Sequence, residues 1–435
     1  EDTNKVNILN ELSKYAGWRI GNYDTAMYYA QTAMQLAEKL EFKKGIAHAY
    51  NNIGVIYRNQ GNYPEALKNF LILLKIHEEI GDKGGTADAY NHIGIIYRNQ
   101  GNYPEALKNY FTSLKISKEI GYKKGVSYAY NNIGLIYNSQ DNYPEALKNY
   151  FAALKINEEI GDKSGIASNY NNIGLIYMVQ GNYPETLKNY FAALKINEEI
   201  GDKSGIAANY DNIGKVYSYQ GNYPEALKNF LNSLKIREDR GDKKGIADCY
   251  INIGAIYNSQ GNYPEALKNF LNSLKIFEEI GAKEGIATNY NNIGVVYSFQ
   301  GNYPEALKNY FASLKISQEI GDKKGIAGCY NNIGLIYTTQ RKYNEALKNL
   351  YASLKIREEI ADKRGIASCY LDIGDIYTKL NRPKEGKEWI LKGIALCKEI
   401  GIKDFTKYGY EYLVSADSTL GDFKSALENY KLYTI

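Results

Sequence analysis

Seven of the eight prolines in this 435-residue chain fall at Pro64, Pro104, Pro144, Pro184, Pro224, Pro264 and Pro304, a strict spacing of 40. A single hydrophobic core stops growing at about 250–300 residues, so a chain of this length must divide. No Ser-, Pro- or charge-rich linker interrupts it, and the proline period therefore points to repeats rather than separate domains. Charge is balanced, with 53 Lys+Arg against 49 Asp+Glu, which gives no reason to expect nucleic acid or an anionic membrane as the main partner. No uncharged apolar run approaches the length of a membrane-spanning helix.

Residues 82–121 show what one unit is. Asp82 follows Gly81, a helix-closing glycine and then the next N-cap. Tyr90, Ile93, Gly94 and Tyr97 stand at i, i+3, i+4 and i+7, the apolar face of a helix. That helix ends near Gln100-Gly101. Asn102-Tyr103-Pro104-Glu105 opens a second one, with proline in the first turn, where a missing N–H costs nothing. Ala106, Tyr110, Leu114 and Ile116 form its buried stripe, and Gly121 closes it. Each unit thus reads as two antiparallel helices of roughly 17 residues, about 25 Å long. Small Gly94 and Ala106 mark where the two must approach closely. The pattern recurs from Tyr50 through Tyr410, and 32 of the 43 tyrosines fall on four repeat positions. The tyrosine excess is architectural.

The set Tyr90, Ile93-Gly94, Tyr97, Ala106 and Tyr110 resembles the signature of the tetratricopeptide repeat. The period is 40 rather than 34, and Lys118 stands where that family usually places a helix-ending proline. This longer form is similar to the repeats of kinesin light chains, of Leu-Gly-Asn spindle adaptors and of bacterial sensor proteins. The resemblance implies an all-α fold, a right-handed α-solenoid superhelix of about eleven antiparallel helix pairs. Residues 1–42 are expected to be a degenerate capping repeat, 43–380 the regular array, and 381–435 divergent repeats with the last one truncated. The chain begins at Glu1 without Met and stops within a repeat, so a removed leader and a continuing natural protein are expected.

Near-identical repeats expose where they disagree. Residues 141–180 and 181–220 share 32 of 40 positions, and 221–260 and 261–300 share 28. Both comparisons differ at the same five places: Ser168/Ala208, Asn171/Asp211, Leu175/Lys215, Met178/Ser218 and Val179/Tyr219 in the first, Asp248/Thr288, Ile251/Asn291, Ala255/Val295, Asn258/Ser298 and Ser259/Phe299 in the second. They form one stripe on the first helix, away from its core face. Free drift of exposed positions does not account for it, because residues 221–236 and 261–276, on the second helix, are identical. The stripe reads as a recognition surface, with ligand specificity assigned to Arg58, Arg98, Leu175, Met178, Val179, Lys215, Tyr219, Phe299 and Leu335. The resemblance implies that these phases line a concave groove.

A sixth phase of the stripe holds Asn52, Asn132, Asn172, Asn212, Asn252, Asn292 and Asn332, with His92 and Asp372 as exceptions. A carboxamide both donates and accepts, so it can pair with a peptide backbone whatever the side chains are. Helices pack roughly 8–10 Å apart and an extended strand rises about 3.3 Å per residue, so one such residue per repeat matches about every third residue of a peptide. This ladder resembles those of kinesin light chains and of the O-linked N-acetylglucosamine transferase. Asn52, His92, Asn132, Asn172, Asn212, Asn252, Asn292 and Asn332 are the candidate backbone-binding set; the alternative is that they bond between neighbouring helices. The adjacent Asn51, Asn91, Asn131 and Asn171 read as surface or inter-repeat residues.

Catalytic chemistry has no visible constellation. The three histidines, His48, His77 and His92, with Asp88, allow a metal or proton-sensing cluster in principle, but a polar groove is the simpler reading and neither metal nor cofactor is expected. Cys249, Cys329 and Cys369 share one repeat phase, too far apart for disulfides, and read as small buried residues. A non-enzymatic solenoid is expected, binding an extended protein or peptide segment, with no nucleic acid partner and no membrane span within these residues. Short resemblances at Asp2-Thr3-Asn4-Lys5-Val6-Asn7 and Tyr430-Lys431-Leu432-Tyr433-Thr434 imply the sensory region of a larger bacterial signalling protein, periplasmic in that case. A free-standing cytoplasmic adaptor and the targeting arm of an enzyme are the alternatives.

Overall fold

The computed structural model describes residues 2–17 and 21–434. Among them are 22 helices and no strand. They fall into two compact units, Glu1–Gln220 and Gly221–Ile435. In the first unit the helices are α1 (Thr3–Tyr15), α2 (Tyr23–Lys39), α3 (Lys43–Asn59), α4 (Tyr63–Glu79), α5 (Lys83–Asn99) and α6 (Tyr103–Glu119). They continue with α7 (Lys123–Ser139), α8 (Tyr143–Ile160), α9 (Lys163–Val179), α10 (Tyr183–Ile200) and α11 (Lys203–Tyr219). The second unit holds α12 (Tyr223–Arg240), α13 (Lys243–Ser259), α14 (Tyr263–Glu279), α15 (Lys283–Phe299), α16 (Tyr303–Ile320) and α17 (Lys323–Thr339). It ends with α18 (Tyr343–Glu359), α19 (Lys363–Lys379), α20 (Pro383–Glu399), α21 (Lys403–Leu420) and α22 (Phe423–Thr434).

Local chemistry sets each boundary. Asn62 and its equivalents cap a second helix, the side chain accepting from the N–H of Glu65 at 3.4 Å, with Pro64 in the first turn. Asp82 caps a first helix through Gly85 N–H at 2.9 Å. Gly161 ends α8 in the left-handed region at φ 68°, a conformation that an L side chain enters only at a cost of about 1–2 kcal/mol. Asp141, Arg341 and Ala361 adopt the same φ, 58°, 60° and 54°, without being glycine.

Within each unit the core is continuous because each second helix packs on the first helix of the following repeat. In the first unit Ala66, Phe70 and Leu73 of α4 meet Ala89, Ile93 and Ile96 of α5. In the second, Ala306, Tyr310 and Leu314 of α16 meet Cys329, Ile333 and Ile336 of α17. A helix pair alone could not bury these residues, which is why the fold requires stacking. Gly94 admits the ring of Tyr110: a Cβ there would lie 2.5 Å from Tyr110 Cε1. Cys249, Cys329 and Cys369 are buried, as their repeat position implied.

First helices also touch one another. α1 meets α3 and α5 meets α7 in the first unit; α13, α15, α17, α19 and α21 touch in succession in the second. No two second helices come as close among the described residues. In each unit the first helices therefore form the tighter, inner layer.

Candidate functional site on the first helices

The variable stripe lies on this inner layer. In the first unit Leu175 and Val179 stand one turn apart on α9 and are 42% and 55% exposed, and Tyr219 on α11 is 70% exposed. Lys215, one turn before Tyr219, is also exposed. In the second unit Phe299 on α15 is 64% exposed and Leu335 on α17 is 40% exposed. Met178 is different: it is half-buried and packs against the cluster of Tyr190, Leu194, Ile213 and Val216.

Arg58 on α3 and Arg98 on α5 occupy the same repeat position, both half-buried. Burial, and then the charge of Arg98, lowers the Arg58 guanidinium from its ordinary value. An anion placed between the two guanidinium groups would relieve the penalty that Arg98 puts on Arg58. Arg58 donates to Asn59 Oδ1 at 3.1 Å, which orients it without neutralising it. Nearby, burial, and then the charge of Arg58, pushes His92 down to about 4, so it is neutral at pH 7. The His92 ring stacks on Phe70, centroids 4.9 Å apart and 10° from parallel.

The ladder asparagines are already partly engaged. Asn52 Nδ2 donates to Asn10 O at 2.9 Å, Asn132 Nδ2 to Asn91 Oδ1 at 2.8 Å, Asn172 Nδ2 to Asn131 Oδ1 at 2.9 Å and Asn332 Nδ2 to Asn291 Oδ1 at 2.9 Å. Each of the four therefore ties its first helix to that of the preceding repeat. Asn52 Nδ2 also reaches Asn10 Oδ1 at 3.3 Å, whereas Asn132, Asn172 and Asn332 each make one such bond, Asn132 being buried. For Asn292 the preceding repeat offers apolar Ile251 instead of a carboxamide. Asn212 and Asn252 complete the row and are half-buried. At Asp372 the row ends in a carboxyl group that burial, aided by the charge of Asp375, pushes up to about 7.

Sequence reading missed a second polar layer, between the end of each second helix and the cap of the next first helix. Its members are His77 with Asp82, Ser117 with Tyr122, Asn157 with Asp162, Asn197 with Asp202, Arg237 with Asp242, Phe277 with Ala282, Ser317 with Asp322 and Arg357 with Asp362. His77 Nδ1 lies 3.0 Å from Asp82 Oδ2, Arg237 Nη1 2.9 Å from Asp242 Oδ2 and Arg357 Nη1 2.7 Å from Asp362 Oδ2. Where the first partner is Phe277, the second is apolar Ala282. This pairwise variation was the available signal. Polar cavities of about 300, 330 and 200 Å³ open along the layer beside His77, Asn157 and Ser317. In the first of these, burial raises Asp88 to about 6, and Tyr122 donates to it at 3.3 Å. No group of three or more His, Cys, Asp or Glu able to hold a metal occurs among the described residues.

The second helices carry an exposed apolar row that sequence reading also passed over. Leu71, Phe111, Phe151 and Phe191 in the first unit, and Leu231, Leu271, Phe311 and Tyr351 in the second, are each exposed at one repeat position. Unlike the inner stripe, this row hardly varies. No helix is long and apolar enough to cross a membrane among the described residues.

No curated protein sequence matches the chain. Solved structures share its fold at low identity. The apo quorum sensor NprR from B. thuringiensis superposes with a TM-score of 0.55 at 17% identity, covering 78% of this chain and 99% of that one. A signal transduction ATPase with a tetratricopeptide repeat sensor, from Pyrococcus horikoshii, gives 0.55 at 18%, covering 80% of this chain and 54% of that one. Aspartyl phosphate phosphatase F from Bacillus subtilis gives 0.52 at 14%, covering 91% and 94%. The tetratricopeptide repeat models match residues 45–119, 165–239, 245–319 and 326–399, with a further repeat at 127–160. With helix pairs stacked through Tyr, Gly and Ala at these positions and family models matching most of its length, the chain belongs to the tetratricopeptide repeat family.

Proposed function

We propose that this chain is a non-catalytic binding solenoid whose first-helix layer takes an extended protein segment. The observation that carries the reading is the exposure of large apolar side chains on the variable stripe, above all Tyr219 at 70% and Val179 at 55%. An exposed Tyr or Val that becomes fully buried against a ligand contributes about 1.5–3 kcal/mol, ten- to a hundredfold in affinity. In the first unit, Leu175, Val179 and Tyr219 anchor apolar side chains, Lys215 borders them, and Arg58 with Arg98 receives an acidic group. In the second unit Phe299 and Leu335 play the anchoring part. Met178 acts through packing beneath the anchors.

The ladder residues Asn52, Asn132, Asn172, Asn212, Asn252, Asn292 and Asn332, with His92, offer the backbone-pairing groups. Asn132, Asn172 and Asn332 have one Nδ2 bond to the preceding repeat and offer the other N–H and Oδ1 to the ligand, while Asn52, bonded twice through Nδ2, offers Oδ1. At about 1 kcal/mol net per hydrogen bond, such contacts hold a peptide without reading its sequence. Specificity falls to the stripe. The quorum sensor NprR and the ATPase sensor share this fold, which supports a sensory or interaction region of a larger bacterial signalling protein.

The test is selection from a random dodecapeptide display library, followed by fluorescence anisotropy on the selected peptides. Val179→Ala with Tyr219→Ala is expected to weaken binding at least tenfold, and Phe151→Ala on the second-helix row to leave it unchanged. Equal affinity for the wild-type chain and the double variant would refute the proposed face.

A further inference from the structure

In the second unit one cradle is built three times and filled twice. Ser233, Asp242, Gly245 and Cys249 recur as Ser313, Asp322, Gly325 and Cys329, and again as Ser353, Asp362, Gly365 and Cys369. In the first and third copies an arginine occupies it in the same way. Arg237 Nε donates to Ser233 Oγ at 3.1 Å and Nη1 to Asp242 Oδ2 at 2.9 Å. Arg357 Nε donates to Ser353 Oγ at 3.1 Å and Nη1 to Asp362 Oδ2 at 2.7 Å. The guanidinium lies over the glycine so closely that a Cβ on Gly365 would fall 1.6 Å from Arg357 Nη1.

The middle copy has Ser317 where the others have arginine. Its acceptors are unchanged: Asp322 Oδ1 caps α17 through Gly325 N–H at 3.0 Å, and Ser313 Oγ takes the Cys329 thiol at 3.2 Å. Asp322 Oδ2 stays over the glycine, 2.2 Å from where a Gly325 Cβ would be, against 2.3 Å for Asp362 Oδ2 at Gly365. Among the described residues no ion pair reaches Asp322. Ser317 is 1% exposed and its hydroxyl has no hydrogen-bond partner among the described residues. In place of the arginine there is an open cavity of about 200 Å³. Gly328 forms its mouth on the first-helix layer, where a Cβ would meet nothing within 4 Å, and Asp248 and Ser368 stand at that position in the filled copies. Arg357 forms part of the wall, its charge balanced by Asp362.

We propose that the Ser317 cavity is a binding site for a guanidinium group supplied from outside the chain. The chemistry of the acceptors is that which holds Arg237 and Arg357 in cis, a carboxylate oxygen and a serine oxygen spaced for the planar fork of a guanidinium. The unpartnered Ser317 hydroxyl provides a third group. This inference is independent of the peptide-groove reading, because a small guanidinium compound satisfies it as well as an arginine side chain does.

The four cysteines give a four-signal reporter when the chain is labelled with ¹⁵N-cysteine. Titration with methylguanidinium tests the free cation, and titration with acetyl-Gly-Arg-Gly-amide tests an arginine side chain on a peptide. Either should shift the Cys329 amide saturably while Cys249 and Cys369, in filled cradles, stay still; a peptide at least tenfold tighter identifies the side chain as the source. Acetyl-Gly-Lys-Gly-amide should bind at least tenfold more weakly. Ser317→Arg should abolish the response and raise the thermal midpoint, since the chain then closes the cradle as it does at Arg357. Asp322→Asn keeps a good helix cap and should weaken binding at least tenfold. Arg357→Ser should make Cys369 respond as well. A Cys329 response that is absent in the wild-type chain, or unaltered in Ser317→Arg or Asp322→Asn, overturns the proposal.

Discussion

Replacing Asn131 by alanine should loosen the first unit between α7 and α9 far more than replacing Asn172, although both belong to the same hydrogen bond. Asn131 Oδ1 accepts from Asn172 Nδ2 at 2.9 Å and from Asn169 Nδ2 at 3.3 Å. Asn169 is 1% exposed, and its own Oδ1 accepts from Asn157 Nδ2 at 2.7 Å. Asn131→Ala therefore removes two hydrogen bonds and leaves a buried Asn169 donor unsatisfied. At about 1 kcal/mol net for the Asn172 bond, and about 1–3 kcal/mol for the Asn169 donor left unpaired in place of its own bond, the loss is about 2–4 kcal/mol. Asn172→Ala removes one bond, leaves Asn131 paired with Asn169, and should cost about 1 kcal/mol. Long repeat arrays do not unfold as one two-state unit, so the assay is native-state amide exchange in α7 to α9, read against α3 as an internal reference. Exchange there should accelerate by about thirtyfold or more for Asn131→Ala and about fivefold for Asn172→Ala. Equal accelerations, or less than threefold for Asn131→Ala, would refute the shared-acceptor reasoning.

Three further outcomes follow from the same geometry. Ala361→Gly should stabilise the second unit by about 0.5–1 kcal/mol, because Ala361 sits at φ 54° and glycine relieves that strain at a smaller entropic cost; a lower midpoint in urea would contradict it. The Asp372 carboxyl is raised to about 7 in the folded chain, so the native state holds a proton that the unfolded state has released, and stability falls as pH rises from about 4 to about 7. Asp372→Asn removes this dependence and should gain about 1–3 kcal/mol on the wild-type chain between pH 5 and pH 8. A gain that is the same at both pH values would count against it. Finally, Arg58→Gln with Arg98→Gln should weaken any selected acidic peptide and flatten the salt dependence of its binding, as measured by anisotropy at two ionic strengths.

Much of this architecture could be read from the chain because its determinants are local. Asn62-Tyr63-Pro64-Glu65 carries a cap and a first turn within four residues, and Tyr90, Ile93, Gly94 and Tyr97 declare a helix face within eight. The exposed side chains Leu175, Val179 and Tyr219 were also legible, since repeats that agree almost everywhere disagree there. Met178 belongs to the same stripe in the sequence yet half-buries against the neighbouring core, which depends on how α9 lies on α10 and α11.

What the sequence determined by itself was the repeat, the helix pair and the row of asparagines, because a period of 40 and a helical period of 3.6 are properties of one chain segment at a time. The tertiary structure decided what the asparagines touch. Asn132 meets Asn91 and Asn172 meets Asn131 across 41 positions, a register set by the stacking of first helices. It likewise decided that Arg237 and Arg357 turn inward to a carboxylate while the Ser317 copy of that cradle stays open. A side chain's reach is fixed by its own residue type, but whether the space it would fill is occupied depends on the neighbouring helices.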